Sequence, residues 1–301
     1  MHYLVPPLRL ILNTDCNGKC SFCHHEGCFL SNIMDEEMVY ECADIAQELS
    51  IPRLSLTGGE PTLRKDLPSL LNGIRRKYKG HISLTTNGYD LSSLCDRIDT
   101  PINSINLSII SFKEDIWKKY QNVNPYYAIE SLYLFPATIK KLNVLILEEN
   151  YMDIEEFFSN CITRSLSLDL MFELTESTKN NLIFQYVLKK FRCLGTPRIE
   201  YDITSTLVID INEKCKIRIK HPYFSSLVKW HVCQQCKHSS SCFERICAIR
   251  VYSDGTVTPC LNNKVSLTKG TATMRQKVRD AYKILGNYKI NKSRISDLFS
   301  Q

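Results

Sequence analysis

The chain of 301 residues has little of what marks an exported or membrane-embedded protein. Its first residues, Met1–Leu10, contain no charged stretch followed by a long apolar run, so we expect no signal peptide. No apolar run is long enough to cross a bilayer, and we find neither a sequence repeat nor a low-complexity linker. Hydrophobic residues make up 44% and charged residues 23%, which is ordinary for a soluble globular protein. We therefore expect a cytoplasmic protein without a membrane partner.

The chain is instead rich in cysteine, with fourteen residues. In the absence of an export signal they indicate metal binding in a reducing compartment rather than disulfides. Cys16, Cys20 and Cys23 lie within one stretch of eight residues, directly after an apolar run. Three thiolates on one loop can bind three corners of a cubic iron–sulfur cluster and leave the fourth iron open to a small molecule. A zinc site completed by one of the two histidines that follow is the alternative at this point.

The first two-thirds of the chain alternates short apolar runs with amphipathic stretches. Repeated strand–helix units of this kind imply a parallel sheet with right-handed crossovers, either barrel-like or doubly wound. The predicted strands are Leu8–Asn13, Arg53–Thr57, His81–Thr85, Ser104–Ile109, Leu142–Leu147 and Ser167–Phe172. The predicted helices are Asp35–Leu49, Leu67–Lys79, Leu91–Ile98, Tyr126–Leu134, Met152–Arg164 and Lys179–Arg192. After residue 195 the pattern changes to the short strands Arg198–Ile203, Ser205–Ile211 and Lys216–Lys220, a cysteine cluster and the hairpin Ala248–Cys260.

Polar motifs follow the first four predicted strands at their carboxyl ends, where parallel α/β sheets bind ligands. They are the cysteine loop, a Gly-Gly-Glu-Pro loop, a Thr-Asn-Gly turn and a serine. The glycine pair would let backbone carbonyls approach a ligand, the glutamate would meet an ammonium group, and the neutral side chains would bind hydroxyls and a carboxylate. The residues concerned are Gly58, Gly59, Glu60, Pro61, Thr86, Asn87 and Ser108. Together they predict a pocket for a ligand with an amine, a carboxylate and a ribose.

With the three cysteines, these motifs resemble those of radical S-adenosylmethionine (SAM) enzymes over roughly the first two hundred residues. The resemblance implies an α/β fold with a partial (β/α)6 TIM barrel. It also implies a [4Fe-4S] cluster on Cys16, Cys20 and Cys23, with SAM bound by the open iron, by the pocket residues above and by Phe22. Reductive cleavage of SAM would give a 5′-deoxyadenosyl radical that abstracts hydrogen from a substrate. An electron donor such as flavodoxin or ferredoxin would be a partner.

Within that superfamily the chain resembles the GTP 3′,8-cyclases of molybdenum cofactor synthesis. Arg9, Lys141 and Arg250 match residues that hold the nucleotide in that family, and Arg9 and Lys141 are the predicted catalytic residues among them. Ser55 and Ala248 stand where the family has further nucleotide-binding arginines, and the last four residues lack its glycine pair. We therefore expect a small polar substrate, anionic or sugar-containing, such as a nucleotide, nucleoside or amino sugar. Rearrangement, epimerisation and dehydrogenation are all compatible with it.

A second cysteine cluster lies in the last third of the chain. Gly255 precedes its final cysteine by five positions, a spacing that resembles the SPASM and twitch auxiliary-cluster domains of the superfamily. We therefore predict a barrel over residues 1–200 and a small domain over residues 201–301 that holds a second [4Fe-4S] cluster, with a structural zinc knuckle as the alternative. One of its five cysteines exceeds the usual four ligands, and Cys242 and Cys247 are the candidate hydrogen-atom donors, with Cys247 as the predicted one. The cluster consists of Cys233, Cys236, Cys242, Cys247 and Cys260.

Positive charge is concentrated at the carboxyl-terminal end. Residues 262–301 carry nine Lys or Arg and two Asp. Since the whole chain has a net charge of +6, the rest of the chain is close to neutral. Such a segment can bind nucleic acid or an anionic substrate, but we prefer the explanation that Thr271–Leu285 is a helix with a solvated basic face, and we do not expect nucleic acid as a partner. Two alternative functions remain open, a peptide-modifying radical SAM maturase and a zinc-stabilised nucleic-acid-binding protein.

Overall fold

A computed structural model describes residues 4–23, 33–173, 178–203, 205–221, 224, 227–237, 242, 246–260 and 272–290. Its strands are β1 Leu8–Ile11, β2 Arg53–Thr57, β3 His81–Thr86, β4 Ile102–Ile109, β5 Ala137–Ile146, β6 Ser167–Phe172, β7 Arg198–Glu200, β8 Thr206–Asp210, β9 Lys216–Lys220, β10 Val228–Trp230, β11 Ile249–Val251, β12 Val257–Thr258 and β13 Tyr288–Ile290. Its α-helices are α1 Glu36–Glu48, α2 Leu67–Lys77, α3 Glu114–Tyr120, α4 Pro125–Leu134, α5 Ile154–Thr163, α6 Thr178–Arg192, α7 His231–Gln234 and α8 Met274–Leu285. Within these described ranges, no helix is long and apolar enough to cross a membrane.

Strands β1 to β6 form the parallel sheet that the sequence predicts. Each of the six lies where an apolar run is predicted, and a helix or helical turn follows every one. The predicted α/β class with a partial TIM-barrel arrangement is therefore confirmed. The predicted helix Leu91–Ile98 is instead a 3-10 helix over Ser92–Arg97, and helix α3 is an element that the sequence analysis did not predict.

The two faces of this sheet differ in polarity because successive residues of a strand point to opposite sides. On one face, residues such as Leu10, Leu54 and Leu84 are fully or almost fully buried and share one hydrophobic core with α1 and α2. The other face is here called the polar face. The strand register places on it Arg250, Arg9, Ser55, Ser83, Asn106, Lys141, Asn143, Asp169 and Arg218. A sheet face lined by such side chains suits the binding of a polar ligand.

Strands from the last third of the chain extend both edges of the same sheet. At one edge β9 pairs parallel with β6, followed by the antiparallel β8 and β7. At the other edge β11 pairs parallel with β1, followed by the antiparallel β12. The sheet order is β12-β11-β1-β2-β3-β4-β5-β6-β9-β8-β7, and β10 pairs separately with β13. The domain division at residue 200 stays a prediction, and strand hydrogen bonding continues across it.

Candidate active site

The cysteine loop, residues 13–23, begins where β1 ends. At its base the amide of Met34 donates to the carbonyl of Leu12 at 2.8 Å, which joins the chain before the loop to the chain that leads into α1. The buried guanidinium of Arg64 donates through Nη1 to the carbonyls of both residues, at 3.0 Å to Leu12 and 2.8 Å to Met34. Its Nη2 lies 2.6 Å from the carboxylate of Asp66, just before α2. Arg64, which the sequence analysis did not single out, therefore holds the base of the loop closed.

The glycine pair packs against the cysteine loop. The amide of Gly59 donates to the carbonyl of Asn13 at 2.7 Å, and the amide of Glu60 donates to that of Asp15 at 2.7 Å. A Cβ atom at Gly58 would overlap Asn13, and one at Gly59 would overlap the carbonyl oxygens of residues 14 and 15. Both glycines are thus required by the close approach of protein backbone, whereas the sequence suggested the approach of a ligand.

Glu60 is fully buried, and protein groups surround its carboxylate. Oε1 accepts from the backbone amide of Thr62 at 2.9 Å, from the Thr62 hydroxyl at 2.7 Å and from the Thr86 hydroxyl at 2.5 Å. Oε2 accepts from the amide of Asn87 at 2.6 Å. Burial raises the pKa of Glu60, and these donors oppose the rise. Glu60 therefore joins the glycine loop to the Thr-Asn-Gly turn, and its predicted contact with a ligand ammonium group stays a prediction.

A chain of amide side chains connects the cysteine loop to two other predicted site residues. Asn87 Nδ2 donates to Asn17 Oδ1 at 2.8 Å, and Asn17 Nδ2 donates to the carbonyl of Gln121 at 3.0 Å. Gln121 Nε2 in turn donates to the carbonyl of Ser108 at 2.9 Å. The structure thus brings Asn87 and Ser108 to the loop, as predicted from their position at strand ends. Asn17 lies inside the cysteine loop but was not singled out from the sequence, and Gln121 belongs to no motif that was used there.

The end of helix α3 supports the loop from the side. The carbonyl of Tyr120 accepts from the amide of Lys19 at 2.7 Å and lies 3.5 Å from the Cys20 sulfur. The Tyr120 ring packs against Phe22, with 5.4 Å between ring centroids. Phe22, a predicted SAM-binding residue, therefore packs against the end of a helix that was not predicted. Pro61, another predicted residue of the pocket, is buried at the start of a 3-10 turn.

The three loop thiols are close enough to influence one another. Burial, followed by the neighbouring Cys23 and Cys16, raises the pKa of Cys20 to about 11. Cys16 and Cys23 are exposed and Cys20 is half-buried. Among the residues that the structure describes, no three Cys, His, Asp or Glu side chains are arranged to hold a metal ion. Three accessible thiols on one anchored loop nevertheless supply the donor set of a cluster with one open iron, and iron would reverse the mutual repulsion of the thiolates.

The three predicted substrate residues separate into two groups on the polar face. Arg9 and Arg250 are register neighbours on β1 and β11, and Arg250 is fully buried. Lys141 lies on β5, four strands from β1 in the sheet. Burial lowers the pKa of Lys141, which Asp169 on β6 opposes. The arginines and the lysine would therefore contact different parts of a ligand.

Two cysteines of the second cluster, Cys247 and Cys260, lie towards the opposite end of the sheet from the loop. Cys247 precedes β11 and Cys260 follows the antiparallel β12, so both lie at the amino end of β1. The Cys247 sulfur lies 3.4 Å from Arg250 Nη2. Cys233 lies in α7, and Cys236 follows it. All five cysteines of this cluster are half-buried. Arg9 and Arg250 thus lie on neighbouring strands between the two cysteine groups.

Comparison with curated proteins identifies the first half of the chain. The family model of the radical SAM superfamily matches residues 10–161. The protein named "Probable GTP 3',8-cyclase" of Thermoplasma volcanium is 35% identical over 152 residues, 48% of this chain and 47% of that protein. A protein of the same name from Sulfolobus acidocaldarius is 33% identical over 158 residues, 50% of each. The chain spans about half the length of the curated relatives it matches.

Solved structures extend the likeness to nearly the whole chain. Streptococcus suis SuiB bound to SAM superimposes with a TM-score of 0.65 at 14% identity, over 99% of this chain and 68% of that one. Native anSMEcpe with bound AdoMet and a peptide gives a TM-score of 0.56 at 18% identity, over 92% of this chain and 80% of that one. Such identities establish the fold alone. The superfamily model spans half of the chain and runs from β1 through the three loop cysteines into α5, and the chain therefore belongs to the radical SAM superfamily.

Proposed function

We propose that this chain is a radical SAM enzyme that removes hydrogen from a small, anionic metabolite. Cys16, Cys20 and Cys23 would hold a [4Fe-4S] cluster that, with SAM, supplies the hydrogen-abstracting radical. The protein contributes the anchored loop, the shape of the pocket and the binding of the substrate. The observation that carries this proposal is that Arg9 lies in the strand that ends in the cysteine loop, beside the fully buried Arg250.

The polar face supports an anionic substrate. Arg250 is fully buried beside Arg9, and carboxylates and phosphates form the strongest hydrogen bonds that guanidinium groups make. The position of Ser55 on the same face is consistent with a nucleotide or sugar ligand, because its hydroxyl lies 3.0 Å from that of Ser83 and both can bind hydroxyl groups. Since Ser55 and Ala248 cannot pair with phosphates as arginines do, we do not propose GTP cyclisation itself.

The second cysteine cluster would hold an auxiliary [4Fe-4S] cluster, with Cys233, Cys236 and Cys260 as its firmest ligands and Cys242 or Cys247 completing the set. The contact of Cys247 with Arg250 supports a place for its thiol beside the substrate, where it could donate a hydrogen atom. Iron content of a Cys247→Ala variant decides between these roles, since a ligand would lose auxiliary iron and a donor would not. Flavodoxin or ferredoxin is the expected class of reductant.

The test is anaerobic reconstitution, followed by incubation with SAM, dithionite and candidate nucleotides or amino sugars. We expect about four irons for each cluster, substrate-dependent formation of 5′-deoxyadenosine, and deuterium transfer from labelled substrate. Cys20→Ala should abolish SAM cleavage, while Cys193→Ala, at an exposed cysteine outside both clusters, should not. Bound zinc without iron, or 5′-deoxyadenosine formed only with peptides, would contradict the proposal.

A further inference from the structure

A second group of charged side chains lies on the polar face, on strands β6 and β9. Its centre is Asp169, whose side chain is only 5% exposed. Lys220 Nζ lies 2.6 Å from one carboxylate oxygen, and Arg218 Nη1 lies 3.5 Å from the other. Lys141, on the neighbouring β5, faces the same carboxylate closely enough to lower the pKa of Asp169. Three cations therefore surround one buried anion.

The strand register places these cations towards the ligand-binding end of the sheet. Asp169 is paired with Arg218, and Met171 is paired with Lys220, on parallel strands. Lys220 is the last residue of β9, so it lies at the carboxyl end, the same end as the cysteine loop. Its side chain is 34% exposed, and that of Arg218 is 18% exposed. Both cations thus remain accessible although Asp169 holds them.

The charges in this group do not balance. Glu200, on β7, lies 3.5 Å from Arg218 Nε and offsets a second positive charge. Among the residues that the structure describes, the two carboxylates paired with this group, Asp169 and Glu200, stand against Lys141, Arg218 and Lys220, which leaves one cation in excess. Partly buried cations are costly when nothing compensates them, and an anion placed between them would recover that cost.

We propose that Lys220 and Arg218, oriented by Asp169, bind an anionic group of the substrate at a subsite separate from Arg9 and Arg250. The group is a phosphate or a carboxylate. This inference rests on the proposed function, in that the ligand of the subsite is the substrate of the radical reaction. It specifies a substrate with a second anionic group, because the subsite lies on strands β6 and β9 whereas the arginines lie on β1 and β11.

A purely structural ion-pair network is the competing explanation, and β9 contains its own control. Lys216 lies on the same face of the same strand, but at its amino end, where it pairs with Asp210 at 3.3 Å. Lys216→Met and Lys220→Met therefore remove the same charge from one strand and break one ion pair each. Only the second removes a cation from the carboxyl end.

The experiment is titration calorimetry on the reconstituted, SAM-loaded full chain at constant ionic strength, with pyrophosphate and succinate as separate probes. We expect the wild type to bind at least one probe, and the probe that binds identifies phosphate or carboxylate. In Lys220→Met and Arg218→Met the Kd should rise about tenfold or more, as for the loss of a hydrogen bond to a charged group. In Lys216→Met it should not change. If Lys220→Met does not fold, Lys220→Gln takes its place.

Three results would overturn the subsite: no binding of either probe to the wild type, unchanged binding in the Lys220 and Arg218 variants, or equal weakening in Lys216→Met. The formation of 5′-deoxyadenosine with dithionite, measured on the same samples, separates this failure from that of the proposed function. A protein that cleaves SAM but binds neither probe refutes the subsite alone. A protein that binds a probe but cannot cleave SAM refutes the radical chemistry.

Discussion

The clamp formed by Arg64 at the base of the cysteine loop gives the sharpest prediction. Arg64→Met keeps the length and apolar stem of the side chain but removes the Nη1 donor shared by the carbonyls of Leu12 and Met34. The carbonyl of Leu12 still accepts a hydrogen bond from the amide of Met34, so the lost donor affects mainly the carbonyl of Met34. The carboxylate of Asp66 loses its partner as well, but its side chain is 46% exposed and water can replace the guanidinium.

The size of the effect follows from these contacts. Hydrogen bonds to charged groups contribute about 1.5–3 kcal/mol each, and two of them are buried here. Removing a buried guanidinium also relieves its desolvation, which offsets part of the loss. We expect the free energy of unfolding to fall by about 3 kcal/mol, a substantial part of the 5–15 kcal/mol typical of a folded domain.

Urea unfolding of the metal-free protein measures this change, and hydrogen exchange locates it. The amide of Met34 should lose protection more than the amides within β3, because its acceptor is part of the clamp. Arg97→Met is the matched control, since the exposed Arg97 also donates to a backbone carbonyl, that of Lys65 at 3.0 Å. The clamp would be refuted if the unfolding free energies of the two variants differed by no more than about 0.5 kcal/mol, the usual range for surface substitutions.

Three further predictions concern the rest of the site. Thr86→Val removes the hydroxyl that donates to Glu60 and accepts from the amide of Gly88 at 2.8 Å, and should lower the free energy of unfolding in urea by about 2 kcal/mol. Thr85→Val loses only a 3.4 Å contact with Asn106 and should lower it less. Equal losses in the two variants would contradict the Glu60 network. Gly59→Ala should lower the free energy of unfolding by about 1–3 kcal/mol or more, as overpacking does, because the new Cβ atom overlaps backbone atoms. In Gly18→Ala the nearest atom lies 3.2 Å from the new Cβ atom, so the loss should be smaller. Although burial opposes the shift, Lys220, Lys141 and Arg218 lower the pKa of Asp169 to about 2. The stabilising contribution of Asp169 is therefore present above the unfolded pKa of about 3.9 and disappears as the pH falls towards 2. The difference in unfolding free energy between wild type and Asp169→Asn should shrink over that window, and a constant difference would refute the ion pair.

The strands of the parallel sheet could be predicted because each is marked by a pattern in its own short stretch of sequence. Strands β2, β3 and β6 coincide with short apolar runs whose alternation is visible in the sequence, whereas β4 begins two residues and β5 five residues before the predicted start. Strand β1 is shorter than predicted: the amide of Leu12 still donates to Thr57 of β2, but the carbonyls of Leu12 and Asn13 accept from the amides of Met34 and Gly59. Helix α3 was not predicted because its seven residues carry too little apolar periodicity to stand out.

The supports of the site escaped prediction because their partners are distant in sequence. Arg64 binds a carbonyl 52 residues away, and Lys220 pairs with a carboxylate 51 residues away. Nothing near Gln121 in sequence indicates that it reaches Ser108 and Asn17. The motif residues could be recognised from their types and spacing, whereas these pairings depend on strand register, which is fixed only when the whole sheet assembles.

The pairing of β11 with β1 also has a consequence for how the protein is made. During synthesis, β1 to β6 emerge long before residues 249–258, so the β1 edge has no neighbour until nearly the whole chain has left the ribosome. An open strand edge of this kind is a site for aggregation. Arg250 reaches Arg9 only when the hairpin docks on that edge. We therefore expect the polar face, which we propose binds the substrate, to be completed late in biogenesis, and a fragment ending near residue 200 to be both poorly soluble and unable to bind that substrate.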